Sequence, residues 1–73
     1  MNNPYLINPK VHSRRLWMIR IEDETGDSRY LNENPIIGTY DETVSIAENM
    51  ADVWENKTGG LVLRLTLESQ GKA

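Results

Sequence analysis

Residues 39–68 read TYDETVSIAENMADVWENKTGGLVLRLTLE, and the apolar period changes once along them. At about 100° per residue, Val44, Ile46, Ala47, Met50, Ala51, Val53 and Trp54 fall on one half of a helical circumference. Asp41, Glu42, Ser45, Glu48, Asn49, Asp52, Glu55 and Asn56 fall on the other half. This segregation predicts an amphipathic helix over roughly 41–57. Thr39 and Glu42 have capping-box spacing, with Asp41 as a competing N-cap, and Lys57 suits the negative end of the helix dipole. Gly59 is placed to take the left-handed conformation that stops a helix. Beyond Gly60 the period drops to two: Leu61, Leu63, Leu65 and Leu67 alternate with Val62, Arg64, Thr66 and Glu68, the signature of a strand. Residues 69–73 form a polar tail with no structural signal of their own.

Working back toward the N-terminus, Arg15 to Glu22 is rich in β-formers, with Trp17, Ile19 and Ile21 on one face and Leu16, Met18 and Arg20 on the other. Asp23-Glu24-Thr25-Gly26-Asp27 predicts a hairpin connection into a second strand at about 28–32, where Arg29 and Leu31 share a face opposite Tyr30. Asn32 to Gly38 is a break around Pro35, with Ile36-Ile37 long enough for a brief extra strand. The assembled expectation is an α+β domain in which one amphipathic helix packs on a small three-stranded antiparallel sheet, ββαβ with order 2-1-3 and strand one central. The helix is expected to cover Trp17, Ile19, Ile21 and all four leucines. The opposite sheet face would present Leu16, Met18 and Val62 beside Arg20, Arg64 and Thr66, with no second helix to cover it. Either the N-terminal segment or a partner would have to do so.

The chain thus divides into an arm (1–13), the ββαβ domain (14–68) and the tail (69–73). Seventy-three residues make one domain with a small core, and without cysteine neither a disulfide nor a thiolate zinc site can reinforce it. Apolar runs of only a few residues are far short of the roughly 20 that span a bilayer, and the N-terminus lacks a cationic flank followed by an apolar run. A cytosolic location is expected. The net charge of −3 hides an asymmetry. Lys10, Arg14, Arg15 and Arg20 make residues 1–21 purely basic, and all eleven acids lie after them against the other four of the eight bases.

Little in the sequence points to chemistry at a reactive centre. His12, the single histidine, has no metal-ligating companion, and Glu48, Asp52 and Glu55 lack the oxygen-rich loop spacing of a calcium site. No nucleophile stands in a recognisable setting with a base, and Thr58-Gly59-Gly60 follows a helix instead of opening one, so it is not a phosphate loop. No catalytic residue, metal or cofactor is expected, and the chain reads as a non-enzyme. The cluster Lys10, His12, Arg14 and Arg15, with Trp17 and Tyr30 as stacking surfaces, raises nucleic-acid binding, which the acidic body opposes. The acidic helix stripe is either an ordinary solvated face or a surface for basic partners.

The arm, PYLINPKVHSRR over residues 4–15, is irregular yet carries Tyr5, Leu6, Ile7 and Val11 among its basic side chains. An apolar-basic arm leading into a minimal ββαβ body resembles the small Xanthomonas-phage regulators that bind host RNA polymerase, inhibit initiation and promote antitermination. The likeness rests on length, arm and element order across nearly the whole chain. It implies a host-cytoplasmic protein whose arm contacts the β′ subunit, and it nominates Tyr5, Leu6, Ile7, Asn8, Lys10, Val11, Arg14 and Arg15 as partner-binding residues. Two other readings stand beside it: a nucleic-acid-binding accessory domain, and an inhibitor of a different host or defence protein.

Overall fold

The computed structural model describes residues 14–73. Four strands and one helix follow in the order β1 (Arg15–Asp23), β2 (Ser28–Tyr30), β3 (Ile36–Gly38), α1 (Tyr40–Thr58) and β4 (Val62–Lys72). β1 is central. β4 runs antiparallel along its whole length, and on its other side β2 pairs with residues 20–22 while β3 pairs with residues 15–17. The expected order therefore holds, with β4 as the third strand of the pattern. The Ile36-Ile37 patch does form a strand, sharing an edge of β1 with β2.

The junction between β2 and β3 leaves the middle of β1 without a strand partner on that side, and a side chain fills the gap. Asn32 Oδ1 accepts from the Ile19 amide at 2.8 Å, and its Nδ2 donates to the carbonyls of Trp17 at 3.1 Å and Asn34 at 2.9 Å. The amide group thus stands in for a peptide unit of the missing strand. The Leu31 amide completes the edge by donating to the Ile19 carbonyl at 2.8 Å.

α1 starts and stops where its sequence directs. Thr39 is the N-cap, and its capping box is closed in both directions: the Glu42 amide donates to Thr39 Oγ1 at 3.2 Å and the Thr39 amide donates to Glu42 Oε1 at 2.9 Å. Gly59 ends the helix at φ 74°, a left-handed conformation that costs a glycine nothing. The helix lies on the Trp17, Ile19 and Ile21 face of the sheet. Both isoleucines are fully buried, each worth about 1.5–3 kcal/mol against exposure, and Trp17 is almost so. The Trp17 indole donates to the Gly38 carbonyl at 2.9 Å and meets the Tyr40 ring edge-on at 5.8 Å.

Three details depart from the periodic pattern. First, the polar residues 69–72 are not a tail: β4 continues through them to Lys72, because β1 extends below Trp17 and offers ladder partners at Leu16 and Arg15. Second, only Leu65 and Leu67 of the four leucines sit opposite core residues, facing Ile21 and Ile19. A bulge at Leu63 shifts the register between Glu22↔Arg64 and Asp23↔Val62, so the parity reverses. Leu61 and Leu63 are consequently exposed, and Val62 joins Asp23 on the helix side instead of the open face. Third, the buried line of α1 is Thr43, Ala47 and Ala51, leaving Ile46 and Val53 exposed at the margin of the apolar half. Thr43 tolerates full burial because its hydroxyl donates to the Thr39 carbonyl at 2.8 Å.

Candidate interaction surfaces

Two of the partner-binding residues nominated by sequence, Arg14 and Arg15, belong to the described residues; Tyr5, Leu6, Ile7, Asn8, Lys10 and Val11 lie outside them, as does His12. Arg14 is exposed immediately before β1, close enough to the helix start for its charge to help hold the Glu42 carboxyl down. Arg15 lies on the helix side of the sheet, where its Nε donates to Ser69 Oγ at 2.7 Å. The two arginines therefore diverge at the end of β1 and do not form a single basic patch.

The sheet face away from α1 has a defined make-up. Leu16, Met18, Arg20 and Glu22 of β1 share it with Ile37 of β3, Tyr30 and Ser28 of β2, and Arg64, Thr66 and Glu68 of β4, because directly paired residues lie on the same side. No described element packs across it. Near the start of β1 it is apolar: Leu16 stands beside Ile37, which is 58% exposed. Its centre is polar and tied together. Glu68 receives the Tyr30 hydroxyl at 2.7 Å and the Arg20 guanidinium at 3.2 Å, which spans the sheet from β2 to β4. Donation to that carboxylate holds the Tyr30 proton, raising its pKa above the ordinary phenol value. Arg64, opposite Glu22, makes no ion pair among the described residues.

Sequence reasoning placed Arg20, Thr66 and Arg64 on this face but missed Tyr30 and Ile37 as part of it. The signal was parity. Tyr30 shares its side of β2 with Ser28, and the hairpin register brings that side level with Arg20 and Glu22.

Between α1 and the β2 edge lies a shallow groove of about 200 Å³ lined by Leu31, Met50, Val53, Trp54 and Lys57. The Arg29 guanidinium sits 5.6 Å from the centre of the Trp54 ring. The groove is below the usual 300–1,000 Å³ of small-molecule sites, so it suits a side chain better than a cofactor.

Two further carboxylates, Glu55 and Asp23, have structural hydrogen-bond partners. Glu55, read from sequence as one of a solvated stripe, accepts from the Val62 amide at 2.8 Å and fastens the helix end to β4. Asp23 is buried, and its Oδ1 accepts from the Thr25 amide, the Thr25 hydroxyl and the Asp27 amide, so the Thr25 hydroxyl first and then these amides hold its carboxyl below the usual range. This is the chemistry of a turn fastener, not of an acid–base centre. Among the described residues no group of three or more His, Cys, Asp or Glu side chains could hold a metal ion, and no helix is long and apolar enough to cross a membrane. Comparison of the chain with protein-family models, with curated proteins and with solved structures gives no match.

Proposed function

We propose that this chain is a small protein-binding regulator that engages its partner through residues 1–15 and the sheet face they adjoin. The observation that supports this most directly is the Leu16–Ile37 patch. It is an apolar pair at the very end of β1 where the segment carrying Tyr5, Leu6, Ile7 and Val11 joins, on a face that no described element covers. An exposed apolar pair of this kind is an anchor on which a binding hot spot can be built. Following the resemblance of the arm and element order, the proposed partner is host RNA polymerase, contacted at the β′ subunit, with inhibition of initiation and antitermination as the outcome.

The test compares the full chain with one lacking residues 1–13, and with Ile37→Glu, for binding to purified bacterial RNA polymerase, with circular dichroism to verify the fold. Deletion is expected to abolish binding while the body stays folded, and Ile37→Glu to weaken it about tenfold or more, the scale of a hot-spot loss. Full-affinity binding by the deleted chain would refute the reading. Failure of the intact chain to bind the polymerase at all would remove that partner.

A further inference from the structure

β4 is the long outer strand of the sheet, pairing with β1 alone among the described strands. Its free edge can be read residue by residue. Both backbone groups of Ile19 turn to the β2–β3 side, its amide to Asn32 Oδ1 and its carbonyl to the Leu31 amide. The pair Ile19↔Leu67 is therefore a non-hydrogen-bonded one. It follows that the N–H and C=O of Leu67, and by the two-residue period those of Leu65, point away from β1 at the outer edge.

We propose that a second copy of the chain occupies this edge, β4 pairing antiparallel with β4 about a two-fold axis at Thr66. The ladder is regular from Arg64 to Ser69, between the bulges at Leu63 and Gln70. Within it, only like-parity registers bring outward groups face to face, and these centre on Leu65, Thr66 or Leu67. Centring on Leu65 sets Arg64 against Thr66, and centring on Leu67 sets Glu68 against Thr66. Centring on Thr66 sets Arg64 of each copy directly opposite Glu68 of the other, twice over, in the non-hydrogen-bonded positions where side chains approach most closely. The same register makes Leu65 and Leu67 the hydrogen-bonded pairs. It also gives Arg64 an ion-pair partner it lacks among the described residues, while Glu68 keeps free acceptor capacity beside Arg20. The self-complementarity is thus one of charge and backbone together, as an isologous interface requires. Both helices would lie on the same side of the joined sheet, because directly opposed residues of an antiparallel pair share a face.

Sedimentation of the full chain from about 10 µM to about 1 mM, concentrations that bracket a weak dimer, reads the proposal. The mean mass is expected to rise from monomer toward twice that value. Arg64→Glu and Glu68→Arg, each alone, place like charges opposite one another and are expected to raise the dimer Kd about tenfold. A one-to-one mixture of the two variants restores both opposite-charge pairs in the mixed dimer and is expected to recover the wild-type Kd. Because Glu68→Arg also removes the Tyr30 and Arg20 contacts, a second measurement needs no variant: amide exchange at Leu65 and Leu67 should slow with rising concentration of the native chain. A mass that stays monomeric throughout overturns the proposal, whether residues 1–13 or a foreign strand take the edge instead. So do unchanged exchange at Leu65 and Leu67, and variants that dimerise as the native chain does or fail to recover on mixing.

Discussion

Replacing Asn32 by alanine removes no core volume, yet it should be among the most damaging single changes in the domain. The carboxamide closes the gap in the β1 edge by accepting from the Ile19 amide at 2.8 Å and donating to the Trp17 carbonyl at 3.1 Å. Ile19 is fully buried, which leaves water little access to its orphaned amide, whereas the Trp17 carbonyl faces β3 in the Trp17↔Ile36 pair and keeps that partner. A buried backbone group left without a partner costs about 1–3 kcal/mol. A domain of this length has a total stability on the order of 4–10 kcal/mol. Asn32→Ala should therefore lose about 1–3 kcal/mol of it. Asn32→Asp tests the geometry: it keeps an acceptor for Ile19 but sets a carboxylate against the Trp17 and Asn34 carbonyls. Urea unfolding followed by tryptophan fluorescence reads both variants. An Asn32→Ala midpoint within about 0.5 kcal/mol of the native chain, the usual range of neutral surface substitutions, would refute the idea that this side chain substitutes for a strand.

Two further changes have defined outcomes. A Cβ at Gly60 would lie 2.6 Å from Trp54 Cη2 and 2.9 Å from Cζ3, so Gly60→Ala must displace the ring from the groove it shares with Leu31 and Met50, at a cost on the order of 1–3 kcal/mol; denaturant unfolding and a shifted tryptophan emission should both report it. The carboxyls of Asp23 and Glu42 are held below their ordinary values of 3.8 and 4.5, the first chiefly by the Thr25 hydroxyl and the second by the Thr39 amide. Depressed folded values mean that this stability is fully present above the ordinary values and lost as pH falls through the folded ones, so the Asp23→Asn, Glu42→Gln double variant should flatten the acid limb of a stability–pH profile.

The helix, its capping box and its glycine stop were legible because each depends on residues within a turn or two of one another, and the central place of β1 followed from the order and direction of the elements. Thr39 and Glu42 need only three residues of spacing, and Gly59 needs only its own φ. What escaped the pattern depends on register between distant strands. The alternation of Leu61 to Leu67 is perfect as sequence, but the bulge at Leu63 is set by how β1 and β4 meet beyond Glu22, and it turns two of the four leucines outward. Asn32 reads locally as a turn residue before Pro35. Its role as a strand surrogate appears only once β2 and β3 lie end to end. Of the interaction surface, the polar half could be anticipated from the parity of Arg20, Arg64 and Thr66. The apolar corner could not, since Ile37 lies beside Leu16 only through the pairing of β3.

These register effects also bear on where a partner can act. At the centre of the open face, Tyr30 and Arg20 are already tied to Glu68, so a partner seeking their polar groups would have to break existing bonds, whereas Glu68 keeps acceptor capacity toward the outer edge. Among the described residues, Leu16 and Ile37 at one end have no such ties, and neither does Arg64 toward the other. The face is thus divided into an apolar corner beside residues 1–15 and a charged outer edge on β4, separated by a self-satisfied middle. Partner binding at the corner and self-pairing at the edge draw on different residues. Ile37→Glu should leave the β4 association intact, and Arg64→Glu should leave binding at the corner intact. If either substitution weakened both, the two surfaces would be one, and the division of the sheet inferred from its register would be wrong.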